Sequence, residues 1–93
     1  MDNKKVEYIF SAIEKAGISV SDFQKLTTIS RTTLYNWKNG KAVTDRLRLD
    51  LAYHISLKLF KAYQLGKLPL SSEFKKVEKL PEIRRIIHKE ITL

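Results

Sequence analysis

Ile29-Ser30-Arg31-Thr32-Thr33-Leu34-Tyr35-Asn36-Trp37-Lys38-Asn39-Gly40 is the stretch on which the reading of this chain turns. It reads as a three-turn helix with both ends specified. Ser30 offers a side-chain oxygen to the orphan amides of a first turn. Gly40 can adopt the left-handed conformation that closes a helix one residue past its cap. Between them only Leu34 and Trp37 are apolar and buried by spacing, with Ile29 anchoring the approach. Arg31, Thr32, Thr33, Tyr35, Asn36, Lys38 and Asn39 are left to project outward. A helix that buries so little and presents cations, hydroxyls and amides carries the chemistry of phosphate and base-edge contact. The pattern implies a helix that reads DNA.

The residues before it sharpen this expectation. Ser21-Asp22-Phe23-Gln24 fits a capping box, with Ser21 as the cap and Gln24 reaching back, and starts a short helix to about Thr27. The link Thr28-Ile29 leaves room only for a tight turn. Two helices so joined make a helix-turn-helix. Here the chain resembles the lambda-repressor-like (Cro/CI, XRE-like) family of helix-turn-helix domains, over roughly residues 5 to 65 and most specifically from Phe23 to Gly40. Phe23, Ile29, Leu34 and Trp37 fall at that family's buried positions. The departures are Gln24, where the family usually has a small residue, Thr27, where it has a large aliphatic, and Thr28, where it has glycine.

The resemblance implies a docking in which Arg31 and Thr32, in the first turn, lie nearest the floor of the major groove. Arg31 then suits a bidentate contact to guanine, and Thr32 a hydroxyl or methyl contact. Tyr35 and Asn36, one turn later, complete the expected base-reading set. Ser21, Ser30, Thr33, Lys38, Asn39 and Lys41 are expected at phosphates, Ser21 through the start of its own helix. Trp37, at core spacing from Leu34 and Ile29, is expected to pack and not to stack on a base.

Charge agrees with a nucleic-acid partner. The net charge is +8, from 18 basic and 10 acidic residues. Residues 31–48 hold Arg31, Lys38, Lys41, Arg46 and Arg48 against Asp45 alone, a local excess of four positive charges. Residues 71–93 instead mix six basic with four acidic groups, the pattern of a solvated face. Hydrophobic residues make up 43% of the chain, enough for a small core in a single domain. Cysteine is absent, which excludes disulfide scaffolds and cysteine-based zinc sites. His54 and His88 stand apart from any carboxylate cluster, and no nucleophile–base constellation or glycine-rich phosphate loop is present. The chain is therefore expected to be no enzyme and to need no metal or cofactor. Glu7, Ser11, Glu14 and Lys15 interrupt any signal-like run, and no window reaches transmembrane length. A cytoplasmic, nucleoid-associated protein follows as the expectation.

Strand periodicity is absent, so an all-α fold of five to six helices is expected, a small bundle containing the helix-turn-helix. Residues 1–66 form its DNA-binding core, and residues 67–93 a helical extension of the same domain. Val6, Ile9, Phe10 and Ile13 form an amphipathic first helix before Gly17. A long helix from Asp45 to Leu65, capped by Thr44, precedes Gly66 and Pro69. On it Leu47, Leu51, Ala52, Ile55, Leu59, Ala62 and Tyr63 make one apolar stripe. Leu49, Tyr53, Leu57 and Phe60 make a second beside it, wider than one neighbour covers. The tail supplies a short helix from Ser72-Glu73 through Phe74, Val77 and Leu80, then another with Pro81 at its first position carrying Ile83, Ile86, Ile87 and Ile91. Either this tail folds back on the long helix, or helices 45–65 and 82–91 build a homodimer that sets two reading helices about 34 Å apart on palindromic DNA. Two other readings remain: a DNA-docking subunit of a recombination, excision or packaging complex, and an antitoxin-like protein-interaction module.

Overall fold

The computed structural model describes residues 2–70 and 76–90. Five helices follow in order: α1 Asp2–Lys15, α2 Val20–Thr27, α3 Arg31–Lys38, α4 Arg46–Gln64 and α5 Lys76–Arg85, the last running on through a π-helical turn Ile86–Glu90. No strand occurs among the described residues. The fold is all-α, as the periodicity predicts. Among the described residues, no helix is long and apolar enough to cross a membrane.

One core holds the bundle together. Ile9 and Ile13 of α1, with Ala16 just past its end, meet Phe23 of α2, Leu34 and Trp37 of α3, and Leu49, Ala52, Ile55, Leu59 and Ala62 of α4. The helix-turn-helix is thus seated on α1 and α4 by its few apolar residues, and its polar face stays outside. Leu68, Ile83, Ile86 and Ile87 join the same cluster. The tail therefore folds back on its own chain, and its three described isoleucines are spent there. Arg84 strengthens the docking by donating a hydrogen bond to the Lys25 carbonyl in the last turn of α2, at 3.1 Å. That satisfies one of the carbonyls a helix end leaves orphaned. Pro69, past the end of α4, lies against the end of α1: a Cβ at Gly17, where φ is +71°, would come 2.7 Å from the Pro69 Cβ.

Several local boundaries differ from the sequence reading. The cap of α2 is Ser19, whose Oγ accepts from the Asp22 amide at 3.1 Å, and Ser21 sits inside the helix. The cap of α4 is Asp45 and not Thr44, its carboxylate accepting from the Arg48 amide at 3.1 Å. α3 has 8 residues, a little over two turns. Pro81 lies within α5 and does not open a new helix. Burial of Ile83, Ile86 and Ile87 against the core holds one continuous helix across it, so the long-range contact overrides the local stop signal. Phe74 and Ile91, and the helix start proposed at Ser72-Glu73, lie outside the described residues. On α4 the stripe divides. Leu47 is 83% exposed, and Leu51 and Tyr63 are also exposed, while Ala52, Ile55, Leu59 and Ala62 are buried with Leu49 and Ser56. α1, α2 and the π-helical turn pack against α4, and Leu47 and Leu51 stay exposed beside them.

The turn between α2 and α3 explains two departures from the family pattern. Thr27 is buried, and its hydroxyl donates to the Phe23 carbonyl at 2.8 Å and accepts from the Ile29 amide at 3.2 Å. It thereby pairs an amide that a buried aliphatic would leave unsatisfied. Thr28 adopts the left-handed conformation, φ +61°, closing α2 with its amide on the Gln24 carbonyl. A β-branched residue is strained there where glycine is not. Replacing Thr28 with Gly removes that strain but loosens the unfolded chain, so a net gain of about 0.5–1 kcal/mol is expected. Thermal denaturation should show a rise of a few degrees; an unchanged or lower midpoint contradicts strain at this turn.

Candidate nucleic-acid interface

The ends of α3 are built from its own residues. Ser30 is the cap: its Oγ accepts from the Thr33 amide at 3.2 Å and donates to the Thr33 Oγ1 at 2.8 Å. At the other end the Gly40 amide bonds the Trp37 carbonyl and the Lys41 amide bonds the Asn36 carbonyl, with Gly40 at φ +85°. This crossed pair is a Schellman closure, and it needs the left-handed residue that glycine supplies without cost. Helix length is therefore set before any tertiary contact.

Facing is set by Leu34 and Trp37, at 0% and 4% exposure. With that edge buried, Arg31, Thr32, Tyr35 and Asn39 lie exposed on the opposite arc, and Asn36 sits half-buried beside them. The four residues expected to read bases, Arg31, Thr32, Tyr35 and Asn36, thus share one face. Of those expected at phosphates, Ser30, Asn39 and Lys41 are exposed near the helix ends. Thr33 is half-buried and its oxygen already accepts from Ser30, which leaves its own proton for an acceptor outside.

Lys38 and Ser21 differ more from expectation. The Lys38 ammonium lies 5.8 Å from the centroid of the Phe10 ring, and the side chain lines a groove of about 410 Å³ with Phe10, Ile13, Glu14, Ile18, Ser19 and Val20. It stays exposed, at the flank of the reading face and not at its centre. Ser21, no longer a cap, accepts a hydrogen bond from the guanidinium of Arg31. Sequence reasoning missed this link between α2 and α3. It also missed Ser19, although Ser19-Val20-Ser21-Asp22 has capping-box spacing of its own.

The electrostatic balance of the face is positive. Asp45, the one carboxylate in residues 31–48, caps α4 and pairs with the Arg48 Nε at 3.2 Å, so it does not oppose Arg31. Away from this face, between α1 and α4, burial and then the neighbouring Tyr53 raise the Tyr8 hydroxyl above its ordinary pKa. There Tyr8 meets Tyr53 and Phe60 edge-on, with ring centroids 5.3 and 5.9 Å away. This cluster packs two helices together and takes no part in the reading face.

A convex helix with cations, amides and hydroxyls, capped at both ends and held by two apolar residues, matches the dimensions and donors of a major groove. Comparison with known proteins agrees. Residues 11–56 match the family model of the Cro/C1-type HTH DNA-binding domain. No curated protein and no solved structure matches the chain significantly.

Proposed function

Residues 11–56 of this chain belong to the Cro/C1-type helix-turn-helix family of DNA-binding domains, and from that premise we propose that the protein is a sequence-specific transcriptional regulator of the phage or bacterial repressor kind. The observation that carries the proposal is the arc of exposed Arg31, Thr32 and Tyr35, with half-buried Asn36 beside them, on a helix capped at both ends. Arg31 and Thr32 read bases from the first turn, with Tyr35 and Asn36 following one turn later. Ser30, Asn39 and Lys41 hold phosphates at the two ends, with Thr33 and Lys38 on the flanks. The protein binds and does not catalyse, it needs no metal or cofactor, and it works in the cytoplasm where its DNA lies.

The regulator acts as a homodimer on palindromic DNA. Because Ile83, Ile86 and Ile87 are consumed in the core of their own chain, the exposed Leu47 and Leu51 on α4 support the long helix, and not the C-terminal one, as the seat of the second copy.

Selection of duplexes from a random library, followed by fluorescence anisotropy of the winner across a salt series, tests the whole reading. A palindromic winner bound at least about 1,000-fold more tightly than unrelated duplex is the expected result. Sedimentation at the same protein concentration should return a dimer. Binding that is equal for all sequences and lost at moderate salt contradicts the regulator. A monomer, alone and on DNA, contradicts the two-fold arrangement.

A further inference from the structure

We infer that Ser21 is a positioning residue for base recognition: its hydroxyl, on α2, holds the guanidinium of Arg31 at the start of α3. The inference rests on the reading of Arg31 as a base contact and adds the residue that aims it.

The geometry is specific to the pair. Ser21 and Arg31 are ten residues apart and on different helices, so their hydrogen bond spans the two arms of the helix-turn-helix. The Ser21 hydroxyl is available because Ser19, two residues earlier, caps α2 in its place. Arg31 is the first residue of α3, exposed at the end that enters a groove, and its long side chain is otherwise free to take many rotamers. Each rotamer-rich side chain fixed on binding weakens affinity, so one held beforehand binds more tightly. Bidentate guanine recognition needs the planar fork in one orientation, which makes the benefit fall on specific sites.

The chemical type of the holder matters as much as its place. A carboxylate there would hold Arg31 more firmly, but it would also neutralise the charge that draws the fork to guanine and phosphate. Asp22 is adjacent in sequence, yet the bond goes to Ser21. A neutral hydroxyl engages one N–H of a fork that carries five, leaving the charge and the remaining donors for DNA. Ser21 therefore orients without competing, a different task from the phosphate contact that a cap at this position would perform.

A double-mutant cycle on the full chain separates the possibilities, read on the library-selected duplex and on unrelated duplex at several salt concentrations. Ser21→Ala is expected to weaken the selected site by about tenfold while leaving unrelated duplex and the salt slope unchanged. Ser21→Thr, which keeps the hydroxyl, should restore most of that loss. In the Arg31→Ala background, Ser21→Ala should have no further effect. A loss that persists in that background and lowers the salt slope makes Ser21 a direct phosphate contact and overturns the inference. Tighter binding by Ser21→Ala also overturns it, since the bond would then be sequestering Arg31. If Arg31→Ala itself leaves the base preference intact, the base-reading premise fails first, and the cycle reports that separately. Thermal denaturation of each variant checks that the fold survives.

Discussion

Trp37→Ala is expected to cost about 3–5 kcal/mol of stability, the largest single-residue effect in the reading helix. Trp37 is 4% exposed, and together with Leu34 it supplies the apolar surface by which α3 is seated in the core. A domain of this size holds roughly 5–14 kcal/mol in total, so the change removes a large share of it. Urea denaturation followed by helical circular dichroism measures the loss, since the tryptophan signal disappears with the residue. Trp37→Phe, which keeps an aromatic body in the same cavity, should recover most of it. DNA binding by Trp37→Ala should fall with the folded fraction and return on cooling or at lower urea. A cost below about 1 kcal/mol, with binding still lost, would move Trp37 from the core to the interface.

That division of labour within one helix is also what made the site legible. α3 could be delimited from sequence because its two ends are local: Ser30 caps it and Gly40 closes it through bonds to residues no more than five positions away. Its facing was legible because two apolar residues three apart leave no ambiguity about which edge is buried. The same argument failed one helix earlier. Ser19 and Ser21 both stand at a capping-box spacing, and the choice falls on Ser19 where α1 closes, with the Ile18 amide bonding the Ile13 carbonyl at 2.8 Å. Asp45 and Thr44 are adjacent good caps, and local chemistry does not rank them.

Elements decided by distant contacts were read less well. Pro81 is a reliable local stop, yet three isoleucines buried in the core carry one helix across it. The apolar stripe of α4 was visible as too wide for one neighbour, but its exposed part depends on where α1 and the tail come to rest. Leu47 and Leu51 are the result, an apolar pair left exposed on α4. Thr27 and Thr28 looked like departures from a family pattern. Together they show another way to build the same turn, one hydroxyl pairing a buried amide and one residue taking the left-handed conformation. The Arg31–Ser21 bond had no sequence signal, because nothing in either residue type names the other as its partner.

Arg31→Ala is expected to weaken binding to the selected duplex by about 1–3 kcal/mol and to relax the preference at one base position. Fold stability should hardly change, because the side chain is exposed and its bond to Ser21 lies at the surface. Lys38→Ala is the natural contrast. Its ammonium sits at the flank of the face, over Phe10, so its loss should weaken all duplexes alike and lower the salt slope by about one. Anisotropy on the selected duplex, on single-base variants of it and on unrelated DNA resolves the two signatures. Arg31 reads sequence if its removal compresses the range across base variants while unrelated duplex moves little. If instead Arg31→Ala lowers every duplex equally, its guanidinium is a phosphate clamp. Base discrimination must then pass to Thr32, Tyr35 and Asn36, whose short or neutral side chains reach the groove only when α3 lies deeper within it.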